Sequence, residues 1–478
     1  MSGWKKLAAA SAGGGASNFG FAATDNSAYN SAMYGQGIAK DSSGNYISVG
    51  RVITSTRYGY LIKMASDGSV LASYRIDLSA FAGEPSSICI DSSDNIYVGG
   101  KGQGGSGQNP LIMKFNSSFV LQWAYVYDWS IYDRVASYRG QETDVCTDDT
   151  DVFFTAGLDI SGSGVRGLFL RVSCSSGTQV AGKVAWDGSG VGQDYRCNIA
   201  IDSTKSYVMC AGHNENWGDP VINIWDLSTN NLKSGQNTYR VTSSFAYDGY
   251  TAGCGADDNG NFFATGQSYN TSTAIRRMCI AEFDPSASTS LTSNEYAWST
   301  ISSGNTSMLA STVVPVNDGS GDVLLVGGGA ITGYSARAFD VISLDSTLAT
   351  ANWANRYEMY GSYDSGNQNQ FQINYAQGNR GLIDDSGSNL VHIYSLNYAQ
   401  TSSLQTTHLG INSLPVDGSG TGTPSGINVI SFTPTGYNIN QWSNDSNSVQ
   451  DKGTATRVDR SSNISIASYS LFNEIAYF

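Results

Sequence analysis

Little of this chain is charged. Asp, Glu, Lys and Arg make up 14% of its 478 residues, where about a quarter is usual in soluble domains. The 26 Lys and Arg are outnumbered by 40 Asp and Glu, which leaves a net charge of −14. That balance opposes nucleic-acid binding, which needs clustered cations against phosphate. Histidine is nearly missing: His213, His392 and His408 are the only three. None has a histidine partner at ligand spacing, and no local pattern assembles a Ser–His–carboxylate triad. Seven cysteines are an odd number without Cys-x-x-Cys spacing, so neither a complete disulfide framework nor a zinc site is favoured. No apolar run reaches the roughly 18 residues of a membrane-spanning helix. Proline numbers 8 against 55 glycines. The surface must therefore be polar through Ser, Asn, Thr, Gln and Tyr.

What the chain does have is a phrase that it rewrites. Asp41-Ser-Ser-Gly-Asn-Tyr-Ile-Ser-Val-Gly50 returns as Asp91-Ser-Ser-Asp-Asn-Ile-Tyr-Val-Gly-Gly100. Further copies begin at Asp148, Asp202, Asp257, Asp318, Asp385 and Asp459, in steps of 50 to 74 residues. A period of about 50 belongs to propeller blades of the longer kind, with insertions in the later steps. Each phrase reads as a hairpin. An alternating run leads in, an Asp/Ser/Gly/Asn cluster turns the chain, and a second alternating run ends in Gly. Asp and Asn bond their own backbone and, like Gly, tolerate positive φ. A third strand follows about ten residues later, as in Tyr60–Met64, Leu111–Phe115, Leu168–Val172, Val221–Trp225, Met278–Phe283, Phe339–Leu344 and Asn428–Phe432. A fourth carries an aromatic: Tyr74, Trp123, Trp186, Tyr239, Trp298, Trp353 and Trp442. Four short antiparallel strands per unit make a propeller blade.

The pattern resembles the bacterial beta-propeller repeat family, whose units read Asp-x-x-Gly-Asn-x-Tyr-Val-x-Gly, then a Lys-rich third strand, then Gly and Trp. The likeness covers roughly residues 37 to 442. It implies an all-β fold of four-stranded blades and little about activity.

The copy at Asp459 reads as an eighth first hairpin, with Leu471–Phe478 supplying a third strand. Asn18–Thr24 has the aromatic character of a missing fourth strand, so the two chain ends are expected to share the last blade. The expectation is one eight-bladed propeller over residues 18–478, with residues 1–17 as an N-terminal arm. Seven blades with a C-terminal strap is the alternative. Cys89 and Cys146 stand two residues before the turn Asp, where Ala39, Ala200 and Gly255 stand in other units. They read as small buried hydrophobes near the ring axis, which suits a reducing compartment.

The chemistry is sparse. The Asp-x-x-Gly-Asn turns lack the dense acidic run and distal Glu of calcium loops and read as structural turns. Paired carboxylates for glycoside cleavage are the remaining enzymatic option, because propellers host them. Most acids here sit in turns, however, and no Ser-x-Asp-x-Gly-x-Thr-Trp box occurs. No catalytic set, metal site or cofactor is expected. The functional candidate is a surface: the aromatic loops expected on one face, with Tyr125, Tyr127, Trp129, Tyr132, Tyr247, Tyr250, Tyr357 and Tyr360 as candidate binding residues. Tyr and Trp suit protein interfaces and sugar rings alike.

The opening Met1-Ser-Gly-Trp-Lys-Lys-Leu-Ala-Ala-Ala-Ser-Ala-Gly-Gly resembles the short, Ala/Gly-rich starts of structural proteins in marine tailed phages, especially cyanophages. That likeness implies a non-enzymatic virion component, in the tail or on the capsid exterior. It would be held to other virion proteins by the N-terminal arm, within a symmetric oligomeric assembly, with host surface glycan as a second partner. A secreted bacterial propeller that binds or cleaves extracellular polysaccharide is the alternative.

Overall fold

In the computed structural model, the first copy of the phrase forms a hairpin. Ala32–Lys40 and Tyr46–Ile53 pair antiparallel, and the turn between them is closed by Asp41 N–H on the Asn45 carbonyl at 2.9 Å. Gly44 holds φ 78° there, and Asp94 takes the matching place in the second copy at φ 60°. The left-handed position explains why Gly, Asn and Asp fill this turn. The structure describes residues 20–23, 32–53, 57–104, 107–129, 133–136, 143–160, 164–187, 194–214, 219–233, 238–241, 251–270, 275–285, 290–298, 307–316, 318–330, 338–359, 370–373, 380–383, 389–401, 404–419, 427–431, 433–438, 442–445 and 447–468.

These strands build seven four-stranded antiparallel blades of a β-propeller. Blade 1 is Ala32–Lys40, Tyr46–Ile53, Arg57–Met64 and Val70–Asp77. Blade 2 is Glu84–Ile90, Ile96–Gln103, Gln108–Phe115 and Leu121–Asp128. Blade 3 begins with Thr143–Thr147 and continues through Asp151–Ile160, Gly164–Ser173 and Gln179–Asp187. Blade 4 runs through Asp194–Ile201, Tyr207–Asn214, Asp219–Asp226 and Thr238–Val241. Blade 5 is Thr251–Ala256, Phe262–Asn270, Ile275–Phe283 and Ser290–Trp298. Blade 6 is Ser307–Pro315, Val323–Ala330, Ala338–Leu344 and Ala351–Met359. Blade 7 is Arg380–Ile383, Asn389–Thr401, Leu404–Pro415 and, as its outer strand, the N-terminal Gly20–Ala23.

The ring closes between blades 7 and 1. Asn389–Thr401 and Leu404–Pro415 pack on Ala32–Lys40. The core lies in the gaps between blades, and the described residues form seven hydrophobic clusters for seven gaps. Val391 and Ile411 of blade 7 meet Ile38, Tyr60 and Ile62 of blade 1 in the closing cluster. Phe169 of blade 3 stacks on Trp225 of blade 4 at 4.7 Å. Such stacks fill the gaps between blades.

Each first strand is broken at the same level. The register shifts between Gly35 and Gly37, Pro85 and Ser87, Arg196 and Asn198, Thr251 and Gly253, and Ala310 and Thr312. Blade 3 splits there into Asp133–Ala136 and Thr143–Thr147, and blade 7 into Gln370–Ile373 and Arg380–Ile383. A bulge bends a strand and strengthens its twist, as the innermost strand of a ring requires. The Gly that closes the repeat phrase faces this bulge. A Cβ on Gly50 would lie 1.9 Å from the Tyr34 carbonyl oxygen, and one on Gly100 would lie 2.2 Å from that of Glu84. The glycine is therefore a steric consequence of the bulge.

The expected eighth blade is not formed by the described residues. From Ile427 onward the chain turns back and travels around the outside of the ring. Ile427–Ser431 pairs with the outer strand of blade 6, Pro434–Asn438 with that of blade 5, and Trp442–Asp445 with that of blade 4. Asn447–Asp451 then joins blade 3, Thr456–Asp459 blade 2 and Ser465–Ser468 blade 1. All six strands of this strap are antiparallel to their hosts. Three sequence expectations are corrected by it. Asn428–Phe432 is no third strand; that place in blade 7 belongs to Leu404–Pro415. Trp442 is no fourth-strand marker but lies opposite Val241 on blade 4. The phrase at Asp459 joins two strap strands through a short 3-10 turn, Ser461–Asn463. It copies the repeat because the same Asx chemistry turns the chain: Ser461 N–H donates to Asp459 Oδ1 at 2.8 Å. The N-terminal strand does complete the last blade, on Leu404–Pro415 rather than on the C-terminal segment.

Candidate functional site

Strand order divides the disk into two faces. The Asp hairpins and the third-to-fourth turns share one face; the second-to-third loops and the connections between blades share the other. Of the aromatic residues singled out in the sequence, those described are already engaged by the chain itself.

Tyr127 is fully buried in the core between blades 2 and 3. Its hydroxyl donates to the Gly177 carbonyl at 2.7 Å, and burial pushes its phenol far above the ordinary range. Tyr357 is equally buried and stacks on Phe339 at 5.1 Å. Burial raises its phenol to about 12. Neither side chain is available to an external ligand. Tyr125 is half-buried, stacked on Trp123 at 5.5 Å, with the Arg457 guanidinium 4.2 Å over its ring. Trp129 donates its indole N–H to the Gly453 carbonyl at 3.2 Å. Arg457 and Gly453 belong to the strap and its connection, so these two aromatics bind the C-terminal segment of their own chain. Tyr132, Tyr247, Tyr250 and Tyr360 lie outside the described residues.

The strap's anchoring between blades 3 and 1 shows how an intramolecular site uses them. Gly453 holds φ 68°, and its carbonyl also accepts from Gln179 Nε2 at 2.6 Å. Gln179 Oε1 accepts the Ala455 N–H at 2.7 Å, and Lys452 N–H donates to the Gly182 carbonyl at 2.9 Å. Arg457 donates through Nη1 to the Ser176 carbonyl at 2.8 Å. Arg460 donates through Nη2 to the Gln103 carbonyl at 2.8 Å. Ser461 Oγ accepts the Ala124 N–H at 3.0 Å. Beneath them Val458, Ile464 and Ile466 pack on the core between blades 1 and 2. The sequence reading missed this site. Its one signal was the alternation of Val458, Ile464 and Ile466 with polar residues, which it assigned to a further hairpin.

On the opposite face, the repeat's aspartates are occupied. Asp41 Oδ1 accepts N–H groups from Ser43 and Asn45 at 3.0 and 2.8 Å, and Lys63 Nζ stands 2.7 Å from Oδ2. Burial alone would raise its carboxyl; the hydrogen bonds of Lys63 and Asn45 and the charge of Lys63 outweigh that and lower it. Asp91 accepts the same two turn N–H groups, from Ser93 and Asn95, and also the Tyr97 hydroxyl at 2.9 Å. Neighbouring turns are tied together. Ser42 donates its N–H to Asp94 at 2.8 Å, Ser92 donates to Asp149 at 2.7 Å, and Ser203 Oγ donates to the Asp258 carbonyl at 3.0 Å. Lys205 Nζ meets Asp149 at 2.5 Å. The phrase thus joins blade to blade as well as strand to strand.

Two groups of buried charges among the described residues are paired. Glu84 Oε2 lies 2.7 Å from Arg51 Nη1 and 3.4 Å from Lys101 Nζ, all three buried between blades 1 and 2. Arg356 grips Asp340 with two bonds of 2.8 and 3.0 Å in blade 6. Cys89 and Cys146 lie on first strands near the axis, and burial pushes both thiols well up, each further raised by neighbouring thiols and by Asp144. They are poor nucleophiles in that state. His213 is buried in blade 4, while His392 and His408 lie on adjacent strands of blade 7. The ring does not bring the three together. Among the described residues no cluster of three or more His, Cys, Asp or Glu is arranged to hold a metal ion, and no helix is long and apolar enough to cross a membrane.

No family model matches the chain, and no curated protein matches it. Solved structures do. The structure of U3-55K is 9% identical, with a TM-score of 0.48 over 83% of this chain and 98% of that one. The β-propeller domain of the Trilobed protease from Pyrococcus furiosus is 7% identical, with a TM-score of 0.39 over 86% and 97%. Phage phi92 endosialidase is 10% identical, with a TM-score of 0.41 over 84% of this chain and 69% of that one. The assignment of this chain as a propeller rests on its own strand pairing.

Proposed function

We propose that this protein is a non-enzymatic structural component of a tailed-phage virion, a rigid propeller that serves assembly, host-surface attachment or both, in the tail or on the capsid exterior. The observation that carries the reading is the strap. One C-terminal segment adds a fifth strand to six consecutive blades, so none of these six can splay outward without peeling away its strap strand. Such lacing suits a part that must transmit force more than an enzyme that must open. The buried ion pairs and occupied aspartates agree with a scaffold role, since they leave the charged groups engaged in holding strands. The phage-like start of the sequence supplies the class of assembly. Residues 1–17 would be the anchor to other virion proteins, in a symmetric arrangement. Tyr132, Tyr247, Tyr250 and Tyr360 stay as candidate contacts for host glycan; Tyr125, Tyr127, Trp129 and Tyr357 do not.

Electron microscopy of particles from a phage encoding this chain tests the reading. Seven-bladed density matching the chain on tail or capsid is expected, and its absence from the particle overturns the assignment. A glycan array separates the two roles. Binding by the wild type that Tyr132→Ala or Tyr360→Ala weakens supports attachment, while a blank array leaves assembly alone.

A further inference from the structure

The first strand of each blade stands innermost in the ring. In blade 2, Ile88 packs into the core toward blade 1, Cys89 packs against the core toward blade 3, and Cys89 pairs with Tyr97 of its own sheet. The side left over faces the ring axis, so solvent that reaches the middle of such a strand comes along that axis. Ala39, Cys89, Cys146 and Gly255 stand two residues before the turn aspartate in blades 1, 2, 3 and 5, and all four are half-buried. Gln36, Ser86 and Thr143 stand five residues before it, about 10 Å deeper. They are only 1, 6 and 2% exposed. The axis is therefore a pocket that opens on the hairpin face and tapers to the first-strand bulges of these blades. Its floor is polar. Ser86 and Thr143 join hydroxyl to hydroxyl across blades 2 and 3, and Asp144 Oδ2 accepts the Ile199 N–H of blade 4 at 2.9 Å. Gln36 holds in blade 1 the place that Ser86 and Thr143 hold in blades 2 and 3, whose hydroxyls meet beside the axis. Neither Oε1 nor Nε2 of Gln36 has a hydrogen-bond partner among the described residues. An amide buried in that state is costly unless something pairs with it.

We infer that this axial pocket binds a small uncharged molecule through a primary carboxamide head, which pairs with the side-chain amide of Gln36. The class of head follows from what Gln36 offers. Its Oε1 needs a donor and its Nε2 needs an acceptor. An ammonium group supplies only the first and a carboxylate only the second, whereas a carboxamide supplies both in one plane. The Asp144 carboxylate beside the floor further opposes an anion. Its charge reaches both axial thiols, adding to the burial that raises Cys89 and Cys146. The walls set the body of the ligand. Ala39 and Gly255 leave room along the axis, and the two thiols are small and weakly polar, which suits a short aliphatic chain. The aspartates of the hairpin turns ring the mouth but are engaged in their own turns, as at Asp41 and Asp91, so specificity rests on the floor.

Saturation-transfer NMR on the full chain tests the inference, with butyramide as the probe and butyrate and butylammonium as its charged counterparts. Butyramide should receive saturation and the two ions should not. Gln36→Met should weaken butyramide binding on the order of tenfold. That substitution removes an amide without a protein partner, so the variant should keep its stability in denaturant. Bound butyramide should also slow the labelling of Cys89 and Cys146 by methyl methanethiosulfonate, read by mass spectrometry, in the wild type and not in Gln36→Met. No saturation of butyramide, an equal response to either ion, or binding unchanged in Gln36→Met overturns the inference. Crystals soaked in butyramide that show only water on Gln36 overturn it as well.

Discussion

The inner hairpins and the outer strap hold the blades by opposite means. A hairpin such as Asp41–Asn45 is made within about five residues, and its carboxylate satisfies the N–H groups of its own turn. The strap joins residues far apart in sequence, from 76 apart at Asn355 and Ser431 to 337 apart at Ala124 and Ser461, and its gain arrives only when the ring already exists. Loop-closure entropy opposes such long-range pairing until the contacts are made. The difference separates what forms the blades from what fastens them: the hairpin phrase specifies the unit, and the strap fastens six of the units to one another.

Removing the strap by ending the chain after Ser419 should have the largest effect. It strips six outer edges at once. Each ladder hydrogen bond contributes about 1 kcal/mol net, so a loss on the order of 5–10 kcal/mol is expected in denaturant titrations, with aggregation through the exposed edges. A stable, monomeric truncation would reduce the strap to decoration. Next comes the pair that belongs to neither device. Asp340→Ala leaves the Arg356 guanidinium buried, which should cost about 3–5 kcal/mol, whereas the double change Asp340→Leu with Arg356→Met should cost much less.

Within a hairpin, Asp91→Ala removes the acceptor of Ser93, Asn95 and Tyr97, with an expected loss of about 1–3 kcal/mol. In the strap, Arg457→Ala should cost less than about 1 kcal/mol, because the side chain is exposed. Its effect should be local, as faster amide exchange over Thr456–Asp459. Acid separates the two devices further. The carboxyls of Asp41, Asp149 and Asp226 are held below their ordinary value. Groups depressed in the folded state stabilise it above their unfolded value, about 4, and that contribution is lost as pH falls through the folded value. Asp322 acts in the other sense, since burial and then Asp318 and Asp345 raise it; its share is present at low pH and lost as pH rises. Because the lowered groups predominate, acid below about pH 4 should loosen the hairpin face first. In the strap's final strands, Asp459 alone should respond, its carboxyl lowered chiefly by the Ser461 N–H. Amide exchange at about pH 3 against about pH 6 reads this order.

The hairpins were legible because their signal is local. Turn residues, alternation and the closing Gly stand within ten positions, and third strands one to six fall where their spacing placed them. The reason for the closing Gly was not legible, since it answers to a bulge on the partner strand, at Tyr34 and Glu84. The strap was hidden for a different reason. Pro434-Thr-Gly-Tyr-Asn438 carries both Pro and Gly, and the strap strands are only 4 or 5 residues long and mostly polar, because they add to edges that already bury their own cores. Asp459–Asn463 compounded this by repeating the turn chemistry of a first hairpin. Four of the aromatic residues, Tyr125, Tyr127, Trp129 and Tyr357, are held by the chain itself, which no local pattern announces. Tyr125 and Trp129 do bind a partner through ring and indole N–H, and that partner is the far end of their own chain.

The central claim is that residues 427–468 lace the outside of a seven-bladed ring, and one cross-link tests it directly. Ser465 lies opposite Asp77 on blade 1, where facing positions bring Cβ atoms to about 4.5–5.5 Å, near disulfide reach. In the chain carrying Asp77→Cys and Ser465→Cys, mild oxidation should join the two peptides, as read by mass spectrometry, at high yield and in the monomer. Failure to link these positions, with the thiol introduced by Ser465→Cys found instead against residues of an eighth sheet, would contradict the account.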